Sequence, residues 1–210
     1  MRPRIFKRGG ARPRATRISE ALALKEVDKI ARAIRIAEEI GLPLNRFITI
    51  HWERAGVADH QAARATGRFL KLARDNLASK RLPFAYVWVR ENDEGDGSKG
   101  DHAHILAHVP DGRTLGPAQR RWIKIISGKP YRKQVIHTRV IARHSNAAQN
   151  EPALYRLNLT IVRDYILKGA SDPASIAFDL PLWGRGGRVQ GQRIGMSKNL
   201  SRSISRKPVR

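Results

Sequence analysis

The chain has 210 residues, enough for one domain with a sizeable hydrophobic core. Hydrophobic residues make up 41% of it and the net charge is +23, so we expect a globular protein with a polyanionic partner. Cysteine is absent, which excludes disulfides and thiolate metal sites and fits a cytoplasmic location. No stretch predicts a transmembrane span, an amphipathic anchor or a secretory signal, so the composition favours nucleic acid over a membrane surface as the partner.

Much of the positive charge lies at the two ends of the chain. Residues 2–17 contain seven Lys or Arg and residues 184–210 contain eight, and neither segment has an acidic residue. The like charges of such a segment repel one another, so we expect the segment not to be ordered alone. It becomes ordered when it binds a polyanion, which releases its counterions on binding. We therefore expect basic arms at 1–17 and 181–210 around a domain at 18–180. The predicted DNA contacts of the C-terminal arm are Arg185, Arg188, Arg193 and Lys198.

Apolar periodicity and turn residues divide the domain into alternating elements. The predicted helices are 18–40, 59–79, 117–127 and 152–168. The predicted strands are 47–52, 84–91, 102–109 and 134–142. An acidic, Gly-rich turn joins the second and third strands, which predicts an antiparallel hairpin. The resulting order, α-β-α-β-β-α-β-α, predicts an α+β fold with a central antiparallel sheet and flanking helices.

The third strand carries a possible metal site. Alternation along it places His102, His104, Leu106 and His108 on one face, and small apolar residues on the other. The apolar face should contact the core, so the histidine face should line a cleft or solvent. Neutral imidazoles bind Mn, Zn and other transition ions, and also tolerate Mg when carboxylates and phosphate complete the coordination.

Two residues are candidates for the third ligand. Glu91 ends the preceding strand, across the turn from His102, so the hairpin would bring its carboxylate near the two imidazoles. His108 is the alternative, although it lies two pleats beyond His104. The alternative to any metal site is a pair of surface histidines and an ordinary acid at a strand end.

A tyrosine and a lysine lie three residues apart near the end of the last predicted helix. Tyr165 and Lys168 would share a helical face, so a hydroxyl and an ammonium could reach one phosphate. An unassisted tyrosine hydroxyl is a poor nucleophile, and the ammonium would stabilise the charge that develops during attack. Tyr155, nearly three turns earlier, is the rival nucleophile, but Asn158 stands where the lysine would be. Tyr131 lies among basic residues and could stack on a nucleic-acid base.

Taken together, these residues resemble the HUH endonucleases of the rolling-circle replication initiator (Rep) type with a single catalytic tyrosine. Phe47-Ile48-Thr49-Ile50 resembles the family's first, structural motif. His102-Ala103-His104 matches the His-hydrophobic-His motif, and Tyr165-Ile166-Leu167-Lys168 matches Tyr-x-x-Lys. The three motifs occur in the family's order over roughly residues 45 to 170.

The resemblance implies a central antiparallel sheet with the paired histidines on a central strand. It also implies that a divalent metal, Mg or Mn, is held by His102, His104 and Glu91 and polarises a scissile phosphate in single-stranded DNA. Tyr165 would attack that phosphate with the help of Lys168, giving a 5′-phosphotyrosine and a free 3′-OH. The implied partners are a replication origin, a host helicase and a polymerase.

The sequence leaves three functions open. The first is a nickase that starts rolling-circle replication of a plasmid, phage or integrated element. The second is a single-tyrosine transposase or a conjugative relaxase with the same chemistry, although relaxases usually carry three histidines and this chain offers a pair and a glutamate. The third is a basic nucleic-acid-binding protein that is not an enzyme.

Overall fold

Seven strands and seven helices form within residues 16–93, 100–110, 115–182 and 186–205, the part of the chain that the computed structural model describes. The strands are β1 (Ile18–Ser19), β2 (Arg46–His51), β3 (Ala85–Asp93), β4 (Gly100–His108), β5 (Ile136–Val140), β6 (Val189–Gln190) and β7 (Ile194–Met196). The helices are α1 (Leu24–Glu39), α2 (Asp59–Ala78), α3 (Gly116–Ser127), α4 (Ala147–Asn150), α5 (Pro152–Ile166), α6 (Asp172–Phe178) and α7 (Lys198–Ser205). Within the described ranges, none of these helices has the length and apolarity needed to cross a bilayer.

Five strands form one antiparallel sheet with the order β5-β2-β4-β3-β7, and β1 pairs with β6 in a separate two-stranded ribbon. The predicted hairpin is present, with β3 and β4 adjacent in the sheet and Glu91 opposite His102. On the other side of β4, β2 places Thr49 opposite His104 and His51 opposite His102. The predicted α+β fold with a central antiparallel sheet and flanking helices is therefore confirmed.

Helices cover both faces of this sheet. On one face, α2 and α3 enclose a core that contains Phe69 and Ile105. On the other face, α1 and α5 enclose a core that contains Ile30 and Leu106. All nine residues of β4 are consequently buried.

This arrangement corrects the expectation that one face of the third strand lines a cleft or solvent along its length. Leu106 and His108 lie on the same face as His102 and His104, yet they are covered by packed elements. Only His102 and His104 line a cleft. The sequence pattern identified the polar face of the strand, but it could not show that α1 and α5 pack against that face.

The first predicted helix begins later than expected. Ile18–Ser19 pair with β6, and α1 starts at Leu24 instead of residue 18. The carboxylate of Glu26 accepts the backbone N–H of Ala23 at 3.0 Å, which satisfies a donor at this helix start. The apolar stripe of the helix begins at Val27, so the residues before it carried no periodic signal.

The C-terminal segment folds differently from the predicted basic arm. Within residues 181–210, β7 forms one edge of the main sheet by pairing Ile194 with Val89. α7 packs against α1, and its Leu200 is fully buried in the core. Most of the predicted N-terminal arm, residues 1–15, lies outside the described residues. The high charge of the C-terminal segment therefore did not prevent part of it from completing the fold.

Candidate active site

The structure brings the three predicted metal ligands together. The Oε2 atom of Glu91 lies 3.3 Å from Nε2 of His102 and 3.3 Å from Nε2 of His104. All three side chains are buried, and one ligand atom from each lies within 4.8 Å of the others. The hairpin register produces this geometry, because His102 is opposite Glu91 and His104 lies two residues further on the same face.

Hydrogen bonds orient both imidazole rings. Nδ1 of His102 lies 2.8 Å from the carbonyl oxygen of Gly100. Because a carbonyl only accepts, Nδ1 donates this hydrogen bond. Nδ1 of His104 lies 3.0 Å from the hydroxyl oxygen of Thr49, which can either donate or accept. Such partners on the far ring nitrogen are typical of histidines that ligate metals.

The electrostatics of this group fit a bound cation. Nε2 of His104 and both carboxylate oxygens of Glu91 are buried without an aligned hydrogen-bond partner among the described residues. Burial lowers the pKa of His104, so its imidazole is neutral. Burial alone would raise the pKa of Glu91, but the contacts with His102 and His104 hold it well below its usual range. Two imidazole nitrogens and one ionised carboxylate thus form a buried group that could hold a divalent metal ion.

Lys168 links this group to Tyr165. Its Nζ lies 2.8 Å from Oε2 of Glu91 and 4.3 Å from the centre of the Tyr165 ring. Burial tends to lower the pKa of Lys168, but the charge of Glu91 raises it above its usual value. The lysine is therefore protonated and places an ammonium between the carboxylate and the phenol ring. The contact between Nζ of Lys168 and Oε2 of Glu91 is within ion-pair distance, but its angles are not those of a hydrogen bond.

Tyr165 opens onto the cleft that contains the two imidazoles. Its half-buried ring lies edge-on to His104, with the ring centres 5.2 Å apart, and its centre is 5.9 Å from that of Phe47. The cleft has a volume of about 370 Å³. Its lining consists of Phe47, Thr49, His51, His102, His104, His137, Thr138, Arg139, Tyr165 and Lys168. The residues predicted from two distant segments therefore share one opening.

The two alternative residues are engaged elsewhere. Tyr155 is buried and donates its hydroxyl proton to the carbonyl of Leu44 at 3.1 Å, and burial raises its pKa. His108 directs Nδ1 to the carbonyl of Pro43 at 2.9 Å and lies outside the ligand cluster of the described residues. Neither residue lines the cleft. The geometry therefore favours Tyr165 over Tyr155 and Glu91 over His108.

Two glycines hold the C-terminal segment against this site. The backbone N–H of Asn92 donates to the carbonyl of Gly186 at 3.1 Å, which brings Gly186 beside Glu91. A Cβ atom on Gly169 would lie 2.8 Å from the Cα of Gly186, closer than such atoms approach. The sequence predicts Gly169 as a left-handed helix cap, but α5 ends earlier, at Ile166, and the need for glycine comes from this backbone crossing.

Other residues of the cleft were not identified from the sequence. His51 lies with its ring centre 5.4 Å from that of His102, and His137 lies beside it on β5. Burial, followed by repulsion from His102, lowers the pKa of His51 to about 4. The guanidinium of Arg139 lies 5.6 Å from the centre of the Phe47 ring and adds a cation to the lining. Strand alternation from Phe47 could have indicated His51, whereas the β5 residues depend on long-range pairing.

The predicted DNA-binding residues of the C-terminal segment separate into different environments. Arg188 and Lys198 are exposed. Arg193 is only 3% exposed and donates from Nη2 to the carbonyl of Gly186 at 2.9 Å, so it is not the exposed arm residue that the charge pattern predicted. Arg185 lies outside the described residues.

Tyr131 lies on the opposite side of β5 from Tyr165. It is half-buried, and the guanidinium of Arg120 lies 5.5 Å from the centre of its ring. The two side chains line a shallow pocket that also includes Thr138. Thr138 lines the cleft as well, so the cleft and this pocket share a residue at the β5 edge.

No protein-family model, curated protein or solved structure matches this chain. The likeness to HUH endonucleases accordingly stays a prediction from three short motifs. The site itself is a buried Glu-His-His group that could hold a metal ion, in a cleft that also contains Tyr165 and Lys168.

Proposed function

We propose that this protein is a metal-dependent single-stranded DNA endonuclease and strand transferase with Tyr165 as its nucleophile. The observation that carries this proposal is that Tyr165 and the imidazoles of His102 and His104 line one cleft, with Lys168 bridging the phenol ring and Glu91. A net charge of +23 supports a phosphodiester substrate. A nucleophile, a cation and a candidate metal group are the parts that phosphoryl transfer needs.

The roles of the residues follow from their positions. Glu91, His102 and His104 would hold a divalent cation, which would supply positive charge to polarise the scissile phosphate. Thr49 and the Gly100 carbonyl hold the two imidazole rings in their metal-binding orientation. Lys168 fixes the Glu91 carboxylate and places an ammonium beside Tyr165, where it would stabilise the charge that develops during attack on the phosphate.

The reaction exchanges one phosphodiester for another. The phenolate oxygen of Tyr165 forms a bond to phosphorus, and the bond from phosphorus to the 3′ oxygen breaks. The phenol proton leaves to solvent, and the departing 3′ oxygen takes up a proton. The products are a 5′-phosphotyrosine and a free 3′-OH, so no nucleotide cofactor is required. The 3′ end could prime rolling-circle replication, and a second transesterification would reseal the strand.

A relaxase with the same chemistry is the second candidate, and one observation favours it. Relaxases usually carry three histidines, and the cleft contains a third, His51, whose ring centre lies 5.4 Å from that of His102. If His51 takes part in metal binding, His51→Ala should weaken Mn²⁺ affinity about as much as His104→Ala does. If Glu91 is the third ligand instead, His51→Ala should leave that affinity close to that of the unchanged protein.

The decisive experiment is to detect a covalent protein–DNA adduct on a labelled single strand with Mg²⁺ or Mn²⁺. We expect the unchanged protein to form the adduct and Tyr165→Phe to form none, because only the nucleophilic oxygen is lost. Tyr155→Phe is the matched control, since it removes a buried hydroxyl from the same helix at a cost of about 1 kcal/mol of stability. That variant should still form the adduct. An adduct from Tyr165→Phe would refute the assignment of the nucleophile.

A further inference from the structure

A second cavity, of about 490 Å³, lies beside β7 and the start of α1. It shares no lining residue with the active-site cleft. Its walls come from β1, the first turns of α1, the loop before β7 and β7 itself. We call this cavity the α1 pocket, and its charged and hydroxyl lining residues are Arg17, Ser19, Lys25, Glu26, Lys29, Arg193 and Ser201.

The α1 pocket contains a buried cation that is incompletely paired. Arg193 is 3% exposed, and its Nη2 donates to the carbonyls of Gly186 and Gly187. Its Nε and Nη1 atoms have no hydrogen-bond acceptor among the described residues, and no described carboxylate forms an ion pair with it. Burial lowers the pKa of Arg193 to about 10, so the guanidinium stays charged at neutral pH. Glu91 and Glu26 stabilise its charge from beyond ion-pair distance, but the Nε and Nη1 donors still lack an acceptor, which an anion from outside these residues could supply.

A second polar group of the pocket also lacks a hydrogen-bond partner. The hydroxyl oxygen of Ser19 is buried and has no partner among the described residues. Ser19 lies on β1, which pairs with β6, and Arg193 follows β6 in the loop before β7, so adjacent segments supply both groups. A tetrahedral oxyanion accepts hydrogen bonds from guanidinium and hydroxyl donors together, which matches these two orphaned groups.

Three further cations surround these groups. Lys25 and Lys29 are exposed and lie four residues apart on α1, where like charges repel each other. Arg17 adds a third exposed charge from the chain before β1. Glu26 is the one carboxylate among the lining residues, and it already accepts the N–H of Ala23 at the helix start. The pocket is therefore strongly positive, and an anion between the lysines would relieve their repulsion.

We propose that the α1 pocket binds a phosphate group, with Arg193 and Ser19 donating hydrogen bonds to it and Lys25, Lys29 and Arg17 supplying charge at the opening. The phosphate belongs either to a phosphorylated small molecule or to the backbone of a nucleic-acid strand. Because this pocket is separate from the Glu91–His102–His104 group, the proposal does not depend on the endonuclease activity.

The test is calorimetric titration with pyrophosphate in EDTA, which removes any contribution from a metal at the other site. We expect Lys25→Gln/Lys29→Gln to weaken pyrophosphate binding roughly tenfold and Ser19→Ala to weaken it about threefold, as expected for lost contacts to an anion. The matched control is Lys71→Gln/Lys80→Gln, which removes the same charge from α2 and the turn that follows it, outside the pocket. It should change the affinity less than about twofold.

A second titration with a short oligothymidylate identifies the source of the phosphate. If the strand occupies the pocket, Lys25→Gln/Lys29→Gln should weaken oligothymidylate binding more than the control does, and pyrophosphate should compete. If a small molecule is the ligand, only pyrophosphate binding should respond to the pocket variants. Equal losses in the pocket and control variants, or no measurable pyrophosphate binding to the unchanged protein, would refute the proposal. Ser19→Ala removes no charge and keeps the test valid if the double variant fails to fold.

Discussion

The β3–β4 hairpin buries two charged groups, and they differ in how completely their polar atoms are paired. Toward the start of α2, Arg90 donates to both carboxylate oxygens of Asp101 and to three backbone carbonyls, so all its N–H groups are used. Toward the end of α5, Glu91 and His104 have buried atoms without aligned partners among the described residues. Consecutive residues of one strand thus carry a closed ion pair and an open ligand group.

This difference suits two separate purposes: the Arg90–Asp101 pair stabilises the fold, and the Glu91–His104 side is suited to binding a ligand. A buried ion pair contributes to a fold only when hydrogen bonds satisfy its remaining polar atoms, as they do around Arg90 and Asp101. A group that leaves lone pairs unsatisfied is costly unless something else binds to it. The open group lies at a cleft and the closed one does not, which is the distribution expected if the protein uses only the former for binding.

Breaking the closed pair should have the largest effect on stability. Asp101→Ala leaves the Arg90 guanidinium buried without its counterion, so we expect a loss of about 3–5 kcal/mol in the free energy of unfolding. Urea denaturation followed by circular dichroism measures this loss. Glu91→Gln, tested without metal, should cost less than Asp101→Ala, because its ion-pair partner Lys168 is partly exposed and can turn to solvent. Equal losses in the two variants would remove the distinction between the groups.

Binding of a metal ion to the Glu91–His102–His104 group should stabilise the protein. At a Mn²⁺ concentration about a hundred times the dissociation constant, binding adds about 2.7 kcal/mol, or roughly 5–10 °C in melting temperature. We expect His102→Ala/His104→Ala to abolish this rise. His108→Ala is the matched control, since it removes another buried histidine of β4 that lies outside the ligand cluster. A Mn²⁺ response that survives the double substitution would show that the metal binds elsewhere.

The cleft should also make stability depend on pH. Burial, followed by repulsion from His102, lowers the pKa of His51 from 6.5 to about 4. The unfolded chain takes up this proton near pH 6.5 and the folded protein only near pH 4, so stability is full above 6.5 and falls as the pH falls toward 4. His51→Gln should reduce the stability lost between pH 6.5 and pH 4 by about 1 kcal/mol. This figure is smaller than the full pKa shift implies, because the His51 ring is partly exposed and solvent screens its interactions. Thermal unfolding across this range measures it, and the slope for exposed His60→Gln should match that of the unchanged protein.

The smallest effect concerns the exposed charges of the C-terminal segment. If Arg188 and Lys198 each contact a phosphate, replacing either with Ala should reduce the slope of log affinity against log salt by roughly 0.7 for single-stranded DNA. Fluorescence anisotropy at several salt concentrations gives this slope. An unchanged slope would mean that the residue does not contact the strand.

The parts of the site that could be predicted are those set by local geometry. Two-residue alternation placed His102 and His104 on one face, the hairpin turn placed Glu91 opposite them, and a three-residue spacing placed Lys168 beside Tyr165. Each inference required only the period of one element or the connection between two neighbours. The structure agrees with the first two placements, and it brings Lys168 beside Tyr165 from the turn after α5, which ends at Ile166, instead of from the predicted helical face.

The remaining features depend on long-range packing. β7 has three residues and joins the sheet by pairing with Val87–Val89, more than a hundred positions earlier, so no local period indicates it. The abundance of basic residues around it predicted an arm, and the same reasoning placed the buried Arg193 on the surface. Alternation along β2 could have indicated Thr49 and His51, but their positions beside His104 and His102 required the register between β2 and β4, which a sequence pattern does not give.

The crossing of Gly169 and Gly186 affects when the metal group can form during protein synthesis. Glu91 leaves the ribosome well before Gly186 and the β7 residues that close the adjacent sheet edge. At ~5–20 residues per second, the residues between them take about 5–20 s to translate. During that interval a nascent chain contains all three ligands but lacks the backbone that lies against Glu91. A product terminated between residues 168 and 186 would therefore carry every predicted catalytic side chain in an incomplete enclosure.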